Sequence, residues 1–147
     1  MKIISIIYCI LVTLLISGLL LFVEQGIFNK WYFIPIVESL FIFFAVLILH
    51  KLTEENVIIL SLFVGFFFSI TELLVYILAV ELGMVDVSIS ISELISWRLL
   101  YNSAFWIAST PILCAGLREK DKVLWVLFII IGISLHFCFN LIMSMIF

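Results

Sequence analysis

The chain has 147 residues, of which 67% are hydrophobic and 12% are charged, and its formal net charge is -3. A soluble domain is about half apolar and about a quarter charged, and a chain of this length cannot bury such an apolar excess within itself. The composition, with a mean hydropathy of +1.45, therefore indicates a membrane protein. It excludes a secreted disulfide scaffold, a nucleic-acid-binding protein and a disordered chain, because the sequence has no basic run and no low-complexity tract.

Five apolar runs, each about as long as a membrane-spanning helix, are separated by short connections. The runs cover residues 3–23, 31–49, 57–80, 94–117 and 123–147. Continuous runs of this length favour helices over the alternating segments of a β-barrel. The sequence predicts an all-α, multi-pass membrane protein, in which residues 1–147 form one integral membrane domain, a bundle of about five transmembrane helices.

The first run is interpreted as a retained helix rather than a signal peptide. It has 21 residues, and no small-residue cleavage site follows it at Glu24 and Gln25. Small side chains recur along it at every fourth position, which places them on one face where another helix can approach closely. These residues are Ser5, Cys9, Thr13 and Ser17.

The distribution of lysine and arginine in the connections predicts the orientation. With the amino terminus in the cytoplasm, the cytoplasmic side carries five such residues and the outer connections carry only Lys30. The five are Lys2, Lys51, Arg118, Lys120 and Lys122. We therefore predict a cytoplasmic amino terminus, an external carboxyl terminus and insertion in the plasma membrane. The connection at residues 81–93 is then external, and we expect it to lie along the interface as a lid.

Few polar side chains interrupt the runs, and each requires a partner, a cavity or a function because burial in lipid is costly. They are Glu38, Glu72, Arg98, Asn102, His136 and Asn140. Counting residues from the helix ends places all of them in the same half of the membrane. They are therefore predicted to face one interior chamber. Tyr76 shares a helix face with Glu72 and belongs to the same set.

Three interpretations of these polar residues remain open. Carboxylates with a histidine can hold Zn and activate water for hydrolysis. The same residue types can instead relay protons or bind a cation without a metal cofactor. A third interpretation is an ion-pair and hydrogen-bond network that only fixes the register of the helices, for example Glu38 or Glu72 with Arg98.

Four short segments, in chain order, resemble the motifs of the PrsW family of intramembrane metalloproteases, which are relatives of the CAAX-processing proteases. Residues 36–41, Ile-Val-Glu-Ser-Leu-Phe, resemble the Glu-Glu-x-x-Lys motif, and residues 65–76 resemble a Gly-x-x-Phe-x-x-x-Glu-Asn-x-x-Tyr stretch. Trp97 and Arg98, with Gly116 further on, resemble the third motif, and residues 136–140 match His-x-x-x-Asn. The resemblance covers residues 35–140.

The resemblance implies Glu38, Glu72 and His136 as catalytic residues and as ligands of Zn. It implies that five further residues shape the site or contact the substrate. These are Arg98, Asn102, Asn140, Trp106 and Tyr76. Several motif positions depart from the family pattern: Val37, Phe41 and Leu73 replace a Glu, a Lys and an Asn, and Trp106 replaces a histidine. A tryptophan cannot ligate a metal.

Two functions follow as hypotheses. The first is a PrsW-like intramembrane protease that cleaves a single-span membrane protein near the outer leaflet. The second is a non-catalytic binding or accessory membrane protein that uses the same chamber to hold a partner. A small transporter subunit is disfavoured, because the runs show no inverted repeat. Both leading hypotheses involve membrane lipid and a membrane-anchored protein, and neither involves nucleic acid.

Overall fold

The computed structural model describes residues 1–26, 33–83, 91–119 and 121–146, with side chains except those of residues 21–26, 79, 91, 94, 97, 98 and 144–146. These parts of the chain are helical and contain no strand, which confirms the all-α prediction for them. The helices are α1 (Ile3–Gly26), α2 (Ile34–Thr53), α3 (Val57–Glu81), α4 (Ile91–Trp97), α5 (Ser103–Cys114) and α6 (Lys122–Ile146). A π-helical turn, Arg98–Asn102, joins α4 to α5, and a 3₁₀ turn, Ala115–Arg118, follows α5.

Local sequence explains how the connection between α2 and α3 turns so tightly. Glu54 takes a left-handed conformation, with φ at 57°, and its N–H donates to the carbonyl of His50. Asn56 then caps α3, since its side chain accepts the N–H of Ile58 at 2.9 Å. A left-handed residue after one helix and an Asn cap before the next are the usual stop and start signals. They bring α3 back alongside α2.

Four helices are long and apolar enough to cross a membrane, namely α1, α2, α3 and α6. They correspond to four of the five predicted runs. The fourth run, residues 94–117, was expected to be one helix, but the structure divides it at the π turn and again at the 3₁₀ turn. Pro111 adds a further irregularity within α5, because it has no N–H to donate to the carbonyl of Ile107. Hydropathy could not indicate these interruptions, since the whole run is apolar.

The helix pair α3 and α5 packs closely at Gly65. A Cβ placed on this residue would lie 2.5 Å from the backbone oxygen of Trp106 and 2.8 Å from Oγ1 of Thr110. Small residues permit such approaches between membrane helices, since lipid supplies no hydrophobic drive for packing. The close approach at Gly65 brings Glu72, two turns further along α3, beside α5.

The small-residue face of α1 packs inside the bundle, as predicted. Ser5, Cys9, Thr13 and Ser17 are all buried. The Ser17 hydroxyl lies 2.6 Å from that of Thr71 on α3, a hydrogen bond between the two helices. The opposite face of α1 exposes large aliphatic side chains, among them Leu11 and Leu15, as a lipid-facing surface requires.

Candidate functional site

Glu38 and His136 form a buried pair between α2 and α6. The Glu38 Oε2 lies 3.2 Å from the His136 Nε2, and the two side chains are 7% and 4% exposed. On the other side of the ring, the Ser39 hydroxyl lies 3.3 Å from Nδ1. Both ring nitrogens of His136 are therefore engaged by residues of α2.

Glu72 lies on α3 and is bound from the neighbouring helix. Its Oε2 accepts one hydrogen bond from Nδ2 of Asn102, at 2.8 Å, and another from Nε1 of Trp106, at 3.0 Å. Asn102 ends the π turn, and Trp106 follows it by four residues, so both donors lie on one helix face. One oxygen of Glu72 thus receives two N–H groups.

The indole of Trp106 connects Glu72 with the Glu38–His136 pair. This side chain is 1% exposed. Its ring centroid lies 4.6 Å from that of His136, with the ring planes at 71°, while its N–H donates to Glu72. Phe105 also packs on the imidazole, with ring centroids 5.2 Å apart. The sequence analysis predicted that Trp106 shapes the site or contacts the substrate, but it did not identify the indole as a hydrogen-bond donor to Glu72.

The remaining predicted site residues lie around this network. Asn140 is half-buried, one helical turn beyond His136 on α6, and Tyr76 is half-buried, one turn beyond Glu72 on α3. Arg98 begins the π turn, but its side chain lies outside the described part of the structure. The expected lid over the site falls mostly on residues 84–90, which also lie outside the described part of the structure. Helix α4 begins at Ile91, three residues before the start of the predicted run at residue 94.

Two contributors to the site were not identified from the sequence. Ser39 contacts His136, and Phe105 packs on the same imidazole and stacks on Phe139 at a centroid distance of 4.2 Å. Ser39 directly follows Glu38, and its position beside an intramembrane carboxylate was the available signal. The sequence contained no signal for Phe105, because it is one of 15 phenylalanines in the chain.

The donor set can be compared with the needs of Zn. A catalytic Zn site has about three protein ligands and an open position for water. Glu38 and His136 meet, whereas the Oε2 of Glu72 accepts two N–H groups. No group of three His, Cys, Asp or Glu side chains is placed to hold a metal ion within the described residues. The arrangement does not fit a three-ligand site, and Zn binding remains a prediction without support from this geometry.

Chemically, the arrangement consists of two sets of polar contacts inside the bundle, which are linked by the packing of Trp106 on His136. It joins α2 to α6 through Glu38 and His136, and α3 to α5 through Glu72 and its two donors. Buried polar groups in lipid are stable only when partners satisfy them, and these groups satisfy one another. Polar residues of different helical segments thus meet in two sets, Glu38 with His136 and Glu72 with Asn102, and Trp106 contacts both sets.

Comparison of the chain with protein-family models, with curated proteins and with solved structures gives no match. The resemblance to the PrsW family rests on the motifs described above, and membership of that family remains a prediction.

Proposed function

We propose that this chain is a non-catalytic, multi-pass protein of the plasma membrane that binds a membrane-spanning segment of another protein. It would be a PrsW-like bundle in which the intramembrane polar residues hold the helices together. The observation that carries this proposal is the position of Trp106, whose indole donates to Glu72 and packs against His136.

Hydrolysis needs a water molecule beside a base, and a metal-dependent enzyme needs an open coordination position as well. Glu38 and His136 contact each other, and both are almost fully buried. Glu72 is engaged by Asn102 and Trp106. These mutual contacts favour a structural role for the three residues over an exposed reaction centre.

The position of Asn140 supports a binding role. This residue is only half-buried, although it lies within α6, whereas the amide of the half-buried Asn102 already donates to Glu72. An exposed amide in lipid is unfavourable unless a polar group of another helix contacts it. A single membrane-spanning segment with an amide or hydroxyl side chain near its centre has the chemistry to fill this need.

Association of the protein with defined peptides in nanodiscs would test the proposal. Two single-span leucine–alanine peptides, one with a central Asn and one without it, would be labelled for energy transfer to the protein. We expect preferential association of the Asn peptide, a loss of that preference in Asn140→Leu, and no change in the control Ser134→Leu, an exposed position on another face of α6. Equal association of both peptides would contradict the binding role.

The second candidate is the PrsW-like intramembrane protease. It is favoured by one observation, the 3.2 Å separation of Glu38 Oε2 and His136 Nε2, which suits an acid–base pair. Mass spectrometry of the same incubations distinguishes the two functions. Peptide fragments that form with wild type, and not with Glu38→Gln or His136→Gln, would establish the protease and remove the non-catalytic proposal.

A further inference from the structure

We infer that α5 binds ordered water inside the bundle, held by the side-chain hydroxyls of Ser109 and Thr110 next to Pro111. The ligand is neutral water, which hydrogen-bonds to hydroxyl and carbonyl oxygens alike. In membrane helices, ordered water is one of the means by which backbone groups that proline leaves unpaired are satisfied. The inference concerns the interior of α5 and does not depend on whether the protein binds a partner segment.

The first support is the burial of the two hydroxyls. Ser109 is 5% exposed and Thr110 is 0% exposed. Among the residues that the structure describes, neither hydroxyl oxygen has a hydrogen-bond partner. Burial of an unpaired hydroxyl is unfavourable, and buried polar groups are nearly always paired with another protein group or with ordered water. Two such hydroxyls in sequence therefore indicate a bound ligand that can hydrogen-bond to them.

The second support is the contrast with other buried hydroxyls of the bundle. The Thr13 hydroxyl donates to a carbonyl of the preceding turn at 2.9 Å, and the Ser61 hydroxyl does so at 2.8 Å. Such a bond within the helix is the usual way in which a helix satisfies a serine or threonine side chain. In the described structure, Ser109 and Thr110 form no bond of this kind. Their hydroxyls are thus available to a ligand from outside the helix.

The third support is the backbone beside these hydroxyls. Pro111 has no N–H, so the carbonyl of Ile107 loses its usual helical donor. Ile107 precedes Thr110 by three residues, which places its carbonyl and the Thr110 hydroxyl on one side of the helix. A buried water needs about two to four polar partners. The two hydroxyls and this carbonyl are oxygens of the type required, and Gly65, which Thr110 faces across the interface, adds no side chain to cover them.

Radiolytic footprinting of the whole chain in detergent micelles tests the inference. X-rays produce hydroxyl radicals from water, and radicals formed from a bound water oxidise the side chains beside it. Cys114 lies one helical turn beyond Thr110, whereas Cys9 lies on α1, and both thiols are 0% exposed. We expect mass spectrometry to find Cys114 oxidised well ahead of Cys9 in wild type. Equal protection of the two thiols would overturn the inference.

Variants without the hydroxyls identify the ligands of the water. The double variant Ser109→Ala/Thr110→Val should lower Cys114 oxidation to the level of Cys9. Thr13→Val is the control and should leave Cys114 oxidation unchanged, because the Thr13 hydroxyl is already satisfied within α1. Should the double variant misfold, Thr110→Val alone is compared in its place. Cys114 oxidation that persists without the hydroxyls would indicate access from bulk solvent and would overturn the inference.

Discussion

At the scale of single residues, the two intramembrane glutamates differ in what surrounds them. Glu38 contacts an imidazole, while Glu72 accepts hydrogen bonds from an amide and an indole. The sequence identified both residues, because a carboxylate within an apolar run requires a partner. It did not identify which partner each one meets, since that depends on the rotation of four helices about their axes. The suggested ion pair with Arg98 stays a prediction, because the side chain of Arg98 lies outside the described part of the structure.

The Glu38–His136 contact should stabilise the bundle as a coupled pair. We expect Glu38→Gln and His136→Gln each to lower the free energy of unfolding by about 1–2 kcal/mol, near the upper range for polar contacts between membrane helices. The double variant should lower the free energy of unfolding by less than the sum of the two single effects, because the second change has no remaining contact to break. Unfolding in mixed micelles would measure these values, with the exposed Ser134→Ala as control. Strictly additive costs would show that the two side chains do not interact.

At the scale of helices, the π turn before α5 determines what reaches Glu72. A π turn holds more residues than an α turn. Side chains before it therefore point in a different direction, relative to those after it, than they would in a regular α-helix. Asn102 ends this turn and Trp106 follows one turn later, and both donate to Glu72. The hydropathy of residues 94–117 predicts a helix but contains no signal for such a turn. Trp106 has ordinary helical spacing from Asn102, and it was not identified as a second donor because its indole was considered only for its inability to ligate a metal.

The close approach of α3 and α5 at Gly65 is expected to tolerate no side chain. An alanine Cβ there would meet the backbone oxygen of Trp106, which cannot move aside as a flexible side chain would. We expect Gly65→Ala to lower the free energy of unfolding by about 1–3 kcal/mol, the range for overpacked cores. Gly18→Ala on α1 is the matched control, because a Cβ at Gly18 meets nothing within 4 Å. Equal stability of the two variants would contradict the packing described here.

At the scale of the whole molecule, the α2–α3 connection holds the beginning of α1. The Glu55 carboxylate accepts the backbone N–H of Lys2, at 2.8 Å, and the hydroxyl of Ser5, at 3.3 Å. The bond from Lys2 is the main reason that the pKa of Glu55 lies below its usual value, and the amino-terminal charge, the Ser5 hydroxyl and the Lys2 charge add to this effect. A carboxyl with a lowered pKa stabilises the folded state above its unfolded pKa, and this contribution disappears as the pH falls through the lowered value.

The Glu55 contact therefore predicts a pH-dependent difference between two variants. Wild type should be more stable than Glu55→Gln at neutral pH, and the difference should shrink as the pH falls below about 4, where the carboxyl takes up its proton. Thermal unfolding across this range would measure it. Glu54→Gln is the control, because Glu54 is the exposed neighbour in the same connection. A difference that stays constant down to pH 2 would exclude the ionised carboxylate as its cause.

The number of membrane crossings depends on the part of the chain that hydropathy described least well. From Ile91 to Arg118 the backbone continues through α4, the π turn, α5 and the 3₁₀ turn for 28 residues. At about 1.5 Å per residue this rod is about 40 Å long, more than the hydrocarbon thickness of about 30 Å. Because α5 packs along α3, the rod should cross the membrane as a fifth span, despite its irregular turns.

Cysteine accessibility tests both this crossing and the predicted orientation. Glu81 and Glu119 are exposed and lie at the two ends of the connection formed by residues 82–118. In a chain without its native cysteines, Glu81→Cys should react with an impermeant maleimide in intact cells, and Glu119→Cys only after permeabilisation. The positive side chains near Glu119 favour the cytoplasm for that end. The reverse labelling would overturn the orientation but keep the crossing, whereas labelling of both positions from one side would mean that the rod does not span the membrane.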